Sequence, residues 1–510
     1  MFLQPTSDLE KRQLLSLQIG LSIGCLALWM FGGKGSLLNS DDVLYAQMAR
    51  ESLENGSLVD HSWMGVTLFE KPPLLLWLLQ FSGWLAGFSD AAMRFPSALG
   101  STLTLVYTFK LTRTVLANRL GQWFWPWLAV ATLGASWTFV ESGSRVMTDS
   151  LLAASVVAMC YYAMRVRDSD DKRWSVYLGV AAGLGFMTKS FALAPTALAV
   201  SLFLLWKKCG ARLAVSIGVA ALIAIPWHVI MTLRYGAEFW DVYVGYHVLG
   251  RAEGISVGQQ DLGFYLREWL VSDPMVVVAL IPGLVSMVIL GLKSGLDRTL
   301  LPVLVAICGL IFIHFSQTKF LHYAIPIIPM LAVVTVSAAA RLSITKMGIQ
   351  LLILIVLGSS SFFFQKSDNE SYRPELRTLA EKHILASSEN SRLIVFNDYA
   401  PALYYYGERK GELWTDSQRF YDIQQSIDMM KRSGIVYLAD EKNLSKIREE
   451  TRPMLLMAPH RKMSTMTEEM ANNPMSVILR RLMHHYKAEQ RNIDWTHDEG
   501  YLVVHVEGLR

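Results

Sequence analysis

The stretch LFEKPPLLLWLLQ, residues 68–80, places two adjacent charged residues, Glu70 and Lys71, directly before a long apolar run. The two prolines that follow suit the first turn of a helix, where a missing N–H breaks no hydrogen bond. The helix predicted over 72–87 is apolar on most sides, and Trp77 is a typical membrane-interface anchor. A solvated ion pair contributes roughly 0–1 kcal/mol. A lysine at a helix N-terminus at membrane depth also forms a natural site for an anionic head group.

The rest of the chain explains what surrounds these charges. Of the 510 residues, 52% are hydrophobic and 18% charged, with a mean hydropathy of +0.31, which is too apolar for an ordinary soluble protein. The apolar residues form blocks long enough to cross a bilayer core of roughly 30 Å. The predicted spans are 13–33, 94–116, 122–140, 148–164, 175–188, 191–206, 213–233, 274–292, 299–315, 321–340 and 347–364.

Lysine and arginine are concentrated in alternate loops, which predicts a cytoplasmic N-terminus and an exported C-terminal part. Two loops on the predicted outer side, 34–93 and 234–273, are unusually long. The first span is too long for a signal-peptide core, so we expect it to stay as an anchor. The net charge of +4 follows from the basic inner loops and indicates no nucleic-acid partner.

The chain divides into two predicted domains. Residues 1–365 form a membrane unit that includes both long loops, and residues 366–510 are polar. Short apolar runs in the polar part, RLIVFND, IVYLAD and YLVVHVEG, predict buried strands. Helix-like patterns at 374–387 and 417–432 lie between them. This part is therefore predicted to be a small extracytoplasmic α/β domain, and it contains no cysteine for a disulfide.

The first long loop begins SDDVLYAQMARESLENG, in which Asp41 and Tyr45 are four residues apart and share one face of a helix. The acid pair Asp41 and Asp42 can simply cap this helix and complement its dipole. A paired carboxylate outside a span can equally serve as a base or a cation site.

Other charged residues lie at the ends of spans on the predicted outer side. They are Glu141, Arg145, Asp149, Lys189 and Lys319. Each alone is an ordinary loop charge, but charges are costly within a bilayer, and their occurrence on the side of both long loops indicates a site. In the second long loop His247 and Arg251 are four residues apart, and a histidine beside carboxylates can bind metal.

Seven segments in this order resemble a known family: DDVLYAQMARE, FEKPPLLLW, AAMRFPSAL, VMTDSLL, FMTKS, IPWH and SQTKFLHYAIPIIP. Over residues 10–340 the chain is similar to the polytopic lipid-linked-sugar glycosyltransferases of the aminoarabinose transferase and protein O-mannosyltransferase type. The resemblance implies a GT-C fold of about 11–13 transmembrane helices. The aminoarabinose transferase branch, which ends in an exported domain, is the most similar.

The resemblance also implies site residues. Asp41 and Asp149 match the catalytic acids, and Lys71 matches the lysine placed at the donor phosphate. Glu70 and His247 match a pair that can hold a divalent ion such as Zn, Mg or Mn. Further matched substrate-contacting positions are Asp42, Tyr45, Lys189, Arg251 and Lys319. Two positions depart from the aminoarabinose enzymes, where Leu44 replaces an arginine and Leu68 an aromatic residue.

The expected activity is transfer of a sugar from a polyprenyl-phosphate donor to a lipid, glycan or protein acceptor, with inversion at the anomeric carbon. The expected place is the outer face of the cytoplasmic membrane. A transporter or flippase for a lipid-linked sugar is the alternative, although the chain lacks the internal repeat common in transporters. A third possibility, a membrane anchor for residues 366–510, needs far fewer spans than eleven.

Overall fold

The computed structural model describes residues 8–32, 36–38, 41–116, 124–250, 252–253, 260–294, 297–342, 373–396, 400–415, 436–438, 447, 450, 452–459, 482, 492–498 and 501–507. The predicted span 347–364, the predicted helix 417–432 and Arg251 lie outside these residues. The chain forms two compact units. One is Met1–Lys34 with Phe69–Lys366, and the other is Gly35–Leu68 with Ser367–Arg510.

Helices dominate the described part of the chain up to residue 342. In chain order they are α1 (Asp8–Phe31), α2 (Asp41–Glu54), α3 (Leu74–Ala86), α4 (Asp90–Val115), α5 (Phe124–Gly134), α6 (Trp137–Gly143), α7 (Asp149–Asp168), α8 (Arg173–Lys189), α9 (Ala194–Trp206), α10 (Gly210–Tyr235), α11 (Ala237–Trp240), α12 (Phe264–Ser272), α13 (Ile281–Ser294), α14 (Leu300–Phe315) and α15 (Ile328–Leu342). All but α2 belong to the first unit.

Most helices of the first unit match the predicted spans in position, but two spans differ. In the span predicted over 321–340, Leu321–Ala324 form a 3₁₀ turn and α15 begins only at Ile328. The span predicted over 122–140 is two helices, α5 and α6, because Ser136 interrupts it as the N-cap of α6, accepting a hydrogen bond from the Phe139 backbone N–H. The pair 175–188 and 191–206 forms one apolar stretch, Arg173–Trp206, in which a 3₁₀ turn joins α8 to α9. That stretch and α10 are long and apolar enough to cross a membrane, and shorter apolar helices accompany them.

Small residues let the helices of this unit pack closely. At Gly100 in α4 an added Cβ would lie 2.7 Å from the backbone of Ser150 in α7. At Gly179 in α8 it would lie 2.5 Å from the carbonyl oxygen of Ser216 in α10. Such contacts, in which only glycine fits, are typical of helix packing in membranes. They hold α7 against α4 and α8 against α10. Helices α7 and α8 supply Asp149 and Lys189 of the site described below.

The second unit contains a mixed sheet, which includes the three strands predicted from the sequence. Its strands are β3 (Arg392–Phe396), β4 (Glu412–Thr415), β5 (Val436–Leu438), β6 (Met454–Pro459), β7 (Ile493–Asp498) and β8 (Tyr501–Val506), after a short hairpin of β1 (Ser62–Trp63) and β2 (Val66–Thr67). The six strands lie in the order β5-β4-β3-β6-β8-β7. The first four are parallel, and β8 pairs antiparallel with both β6 and β7. The three predicted strands correspond to β3, β5 and β8.

The division of the chain differs from the predicted domains in one segment. Residues 35–68, predicted to belong to the membrane unit, group instead with the C-terminal part. The reason is a set of long-range contacts to the short helix Pro401–Tyr406. The guanidinium of Arg50 in α2 donates to the Tyr405 carbonyl at 2.6 Å and lies 4.6 Å from the centre of that tyrosine ring. The backbone N–H of Leu37 donates to the Tyr406 hydroxyl at 2.7 Å.

Candidate active site

A cavity of about 260 Å³ in the first unit gathers five of the predicted site residues. Its lining includes Glu70, Lys71, Asp149, Lys189 and His247. These residues come from the segment just before α3, from α7 and α8, and from a π-helical segment that runs over Asp241–Gly250. Apolar side chains complete most of the wall, among them Leu152, Pro195, Val305, Phe312 and Ile313. The cavity therefore combines a few charged groups with a surface suited to a hydrocarbon chain.

Asp149 and Lys189 form a buried ion pair at this cavity. The Lys189 Nζ donates to Asp149 Oδ1 at 2.7 Å, and the two side chains are 13% and 3% exposed. Asp149 begins α7 and Lys189 ends α8, so each charge also complements the dipole of its own helix. The ammonium lies 4.8 Å from the centre of the Tyr323 ring. The pair is desolvated and closely held, which fixes a positive charge and a negative charge at the wall.

Glu70 and Lys71 lie just before α3, as the sequence predicts. The Lys71 Nζ is 3.8 Å from Glu70 Oε2, and the side chains are 15% and 20% exposed. Helix α3 begins at Leu74, with Pro73 at its N-cap position. The looser distance and greater exposure distinguish this pair from the one between Asp149 and Lys189. Lys71 can therefore leave Glu70 and bind an anionic group in the cavity at a lower cost in free energy than Lys189 can leave Asp149.

The structure does not place Lys319 among the residues that line this cavity. Its ammonium instead donates to two backbone carbonyls, those of Ser316 at 2.6 Å and Gln260 at 3.0 Å. Lys319 is 4% exposed, and these bonds fasten the chain at residue 260 to the end of α14. A substrate contact by Lys319 stays a prediction.

Asp41, Asp42 and Tyr45 lie on α2 in the second unit. Asp41 is exposed in the first turn, whereas Asp42 and Tyr45 are buried. In the same helix the buried carboxylate of Glu51 accepts backbone hydrogen bonds from Met64 and Gly65, each at 2.9 Å. Glu51 therefore holds the turn of the β1–β2 hairpin against α2, a role that no pattern in the sequence indicated.

Sequence reasoning missed several polar residues of the cavity wall, among them Ser190, Tyr243 and Tyr323. Ser190 directly follows Lys189 in FMTKS, and Tyr323 lies four residues after Lys319 in TKFLHY, so both were inside motifs already singled out. Tyr243 lies four residues before His247 and shares its helical segment. Proximity in sequence to a predicted site residue was the available signal.

Glu70 and His247 are the two residues predicted to bind a divalent ion. Both residues line the cavity. Across the described part of the chain, however, no three histidine, cysteine, aspartate or glutamate residues cluster closely enough to hold a metal. Glu70 also lies beside the Lys71 ammonium, which competes for its carboxylate. The protein groups present here do not make a complete metal site by themselves.

Known proteins are similar to the part of the chain that contains Glu70, Lys71, Asp149 and Lys189. A family described as dolichyl-phosphate-mannose-protein mannosyltransferase matches residues 70–232. The undecaprenyl phosphate-alpha-4-amino-4-deoxy-L-arabinose arabinosyl transferase of Yersinia enterocolitica is 26% identical over 306 residues, which is 57% of this chain and 53% of the relative. The enzyme of the same name from Serratia proteamaculans is 28% identical over 372 residues, 66% of this chain and 64% of the relative. The matches thus span less than two thirds of either relative.

Solved structures extend the likeness to nearly the whole chain. The crystal structure of ArnT from Cupriavidus metallidurans bound to undecaprenyl phosphate superposes with a TM-score of 0.75 at 14% identity, covering 97% of this chain and 98% of that one. The oligosaccharyltransferase of Archaeoglobus fulgidus gives a TM-score of 0.51 at 13% identity, covering 78% and 63%. These structures confirm the predicted fold class, and the chain is a membrane-embedded protein. The chain thus has the GT-C fold, and its resemblance to the lipid-linked-sugar glycosyltransferases of the aminoarabinose transferase and protein O-mannosyltransferase type is confirmed.

Proposed function

We propose that this chain is an integral-membrane glycosyltransferase that moves a sugar from a polyprenyl-phosphate donor to a lipid, glycan or protein acceptor. Transfer of aminoarabinose to lipid A is the closest known reaction. The observation that carries the proposal is the cavity in which Lys71, Lys189 and Asp149 lie within a mostly apolar wall. A polyprenyl phosphate has the matching chemistry, because its tail is hydrocarbon and its head carries negative charge.

The proposed reaction breaks the bond between the anomeric carbon and the phosphate oxygen and forms a bond from that carbon to an acceptor oxygen. The leaving polyprenyl phosphate takes the electron pair, so a cation beside it lowers the barrier. Lys71 is proposed for this role, because its ammonium lines the cavity and has the less desolvated partner. Attack opposite the leaving group inverts the anomeric centre.

The fate of the acceptor proton depends on the acceptor. A hydroxyl acceptor loses a proton, and Asp41, exposed at the start of α2, is the proposed base. A phosphate acceptor is already ionised and needs no base, in which case Asp41 orients the acceptor. Substrate contacts by Asp42, Tyr45 and Arg251 rest on the resemblance alone. A divalent ion at Glu70 and His247 stays a prediction, and no step here depends on it.

The proposed location is the cytoplasmic membrane, with the two long loops and the C-terminal domain on the periplasmic side. The asymmetric distribution of lysine and arginine supports this orientation. Single cysteines introduced at Arg167 and Lys207 should resist an impermeant maleimide in intact cells. Cysteines at exposed loop positions such as Asn55 should react. The reverse labelling pattern contradicts the proposed orientation.

The activity itself is tested with purified protein in liposomes and a radiolabelled polyprenyl-phosphate sugar. Label that moves to an added acceptor, with release of polyprenyl phosphate, supports glycosyl transfer. Label that moves between leaflets and stays on its polyprenyl phosphate supports the flippase alternative instead. A Lys71→Ala protein is the control, because it should insert normally and lose transfer.

A further inference from the structure

A chain of three hydrogen bonds runs from the cavity wall to α10. The Ser190 hydroxyl is 2.6 Å from the Tyr243 hydroxyl. The Tyr243 hydroxyl is 2.8 Å from His228 Nε2, and His228 Nδ1 is 2.8 Å from the carbonyl oxygen of Ala224. Ser190 and Tyr243 line the cavity, and both are buried to more than nine tenths. Neither Ser190 nor Tyr243 has a role in the reaction proposed above.

The far end of this chain determines the direction of every bond in it. The Ala224 carbonyl can only accept, so His228 Nδ1 must carry the hydrogen. His228 lies on the apolar helix α10, and its ring contacts the rings of Phe186 and Trp227. Such surroundings favour a neutral imidazole over a charged one. A neutral imidazole has one N–H, so Nε2 accepts from the Tyr243 hydroxyl. Ser190 must then donate its own hydrogen to the Tyr243 oxygen.

The consequence is that Ser190 Oγ offers only lone pairs to anything else. Its single hydrogen is committed to Tyr243, and among the described residues no further donor lies within hydrogen-bond distance of Oγ. The backbone at Ser190 is also strained. Ser190 has a φ of 41°, a left-handed conformation that is unfavourable for any residue with a Cβ. Strained backbone conformations of this kind cluster at active sites and ligand-binding positions.

We infer that Ser190 Oγ is a specificity-determining acceptor for a hydroxyl or amino group on the sugar of the donor. The inference rests on the proposed function and assigns the sugar, rather than the phosphate, to this part of the cavity wall. An ionised phosphate oxygen has no hydrogen to offer and would meet the lone pairs of Oγ unfavourably. Lys71 and Lys189, which carry hydrogens and positive charge, suit the phosphate.

The test compares two ligands that differ only in the sugar. They are undecaprenyl phosphate bearing 4-amino-4-deoxy-arabinose and undecaprenyl phosphate alone, with binding measured on the full-length protein in detergent. Losing one neutral hydrogen bond weakens binding by about 3- to 10-fold. Ser190→Ala should therefore weaken binding of the sugar-bearing ligand by about this factor and leave binding of the sugar-free ligand unchanged.

Two further variants separate recognition from folding. Ser190→Gly also removes the hydroxyl but relieves the left-handed strain, so it should melt at a higher temperature than Ser190→Ala and show the same binding defect. Ser155→Ala is the matched control, since the Ser155 hydroxyl donates within α7 to Leu151 and its loss should change neither affinity.

Three results overturn the inference. They are equal weakening of both ligands by Ser190→Ala, no weakening of either, or a binding defect that Ser190→Gly repairs. Failure of the proposed function is detected separately, because the liposome assay with the wild-type protein would then show no transfer of label to the acceptor, whatever the Ser190 variants bind. Selective loss of the sugar-bearing ligand in both Ser190 variants, with Ser155→Ala unchanged, supports it.

Discussion

Replacing Lys189 with methionine tests how strongly the cavity depends on its buried ion pair. Methionine keeps much of the length of lysine and removes the charge, so Asp149 is left 3% exposed with no cation at 2.7 Å. Removing one partner of a buried pair typically destabilises a protein by about 3–5 kcal/mol, because the remaining charge has lost its compensation. We expect Lys189→Met to lower the melting temperature of the purified protein by several degrees.

Double substitution distinguishes loss of compensation from loss of packing. If the uncompensated carboxylate is the cause, Asp149→Asn with Lys189→Met should restore most of the stability that Lys189→Met alone removes. The matched control is the pair of Arg267 and Asp261 in the same unit, which is equally short at 2.8 Å but 57% and 62% exposed. Its disruption by Arg267→Met should leave the melting temperature close to that of the wild type, because an exposed ion pair contributes little to stability.

The assay is thermal unfolding followed by intrinsic fluorescence in one detergent, with all variants compared side by side. A Lys189→Met protein that melts as close to wild type as Arg267→Met does would refute the argument. So would a double variant whose loss equals the sum of the two single losses. Either result would mean that stability does not depend on the attraction between the Lys189 and Asp149 charges.

Four other expectations can be checked with the same protein. Lys71→Ala should lower the transfer rate by about 10²–10³-fold, and Lys71→Arg by much less, because arginine retains the charge at the leaving phosphate. Asp41→Asn should abolish transfer to a hydroxyl acceptor with an unchanged melting temperature, and activity within a few-fold of wild type would make Asp41 only a helix cap. If Glu70 and His247 bind a divalent ion, Glu70→Gln and His247→Ala should lower the transfer rate equally and non-additively, and excess divalent metal should partly restore it. A small loss of activity in Glu70→Gln that does not respond to metal would argue against the ion. Burial lowers the pKa of His61 from 6.5 to about 4 despite the opposing charge of Asp60, so on acidification the unfolded state binds the proton before the folded state does. Stability should therefore fall as the pH drops from 6.5 towards 4. His61→Gln should flatten this dependence in pH-resolved melting curves.

Apolar length and periodicity were sufficient to predict most helices of the first unit. These signals are local, so they find elements such as α4, α7 and α10 from the sequence of each segment alone. The error at 122–140 has the same origin. Hydropathy does not register the capping serine, Ser136, which also donates to the carboxylate of Asp273, 137 residues further along the chain.

The membership of residues 35–68 in the second unit could not be predicted from local patterns. It depends on the contact between Arg50 and Tyr405, which are 355 residues apart. Arg50 lies in the motif DDVLYAQMARE, which the sequence assigns to the first long loop of the membrane unit. No residue near Arg50 in the sequence indicates a contact with a distant tyrosine. A carbonyl hydrogen bond together with a ring contact stabilises the arginine there, and both require the tertiary fold.

The pairing of Asp149 with Lys189, in contrast, was within reach of the sequence. Asp149 begins one predicted span and Lys189 ends the next, and a four-residue connection, 169–172, joins α7 to α8. Consecutive helices with so short a connection run antiparallel, so the start of the first lies beside the end of the second. Two opposite charges placed at these ends compensate each other at membrane depth, where either alone would be unfavourable. The bonds among Ser190, Tyr243 and His228 follow from no such rule, because a 3₁₀ turn sets the position of Ser190 and a π-helical segment that of Tyr243. The helical framework thus predicts the charges of the cavity, whereas its neutral, directional groups depend on irregular backbone that sequence periodicity does not describe.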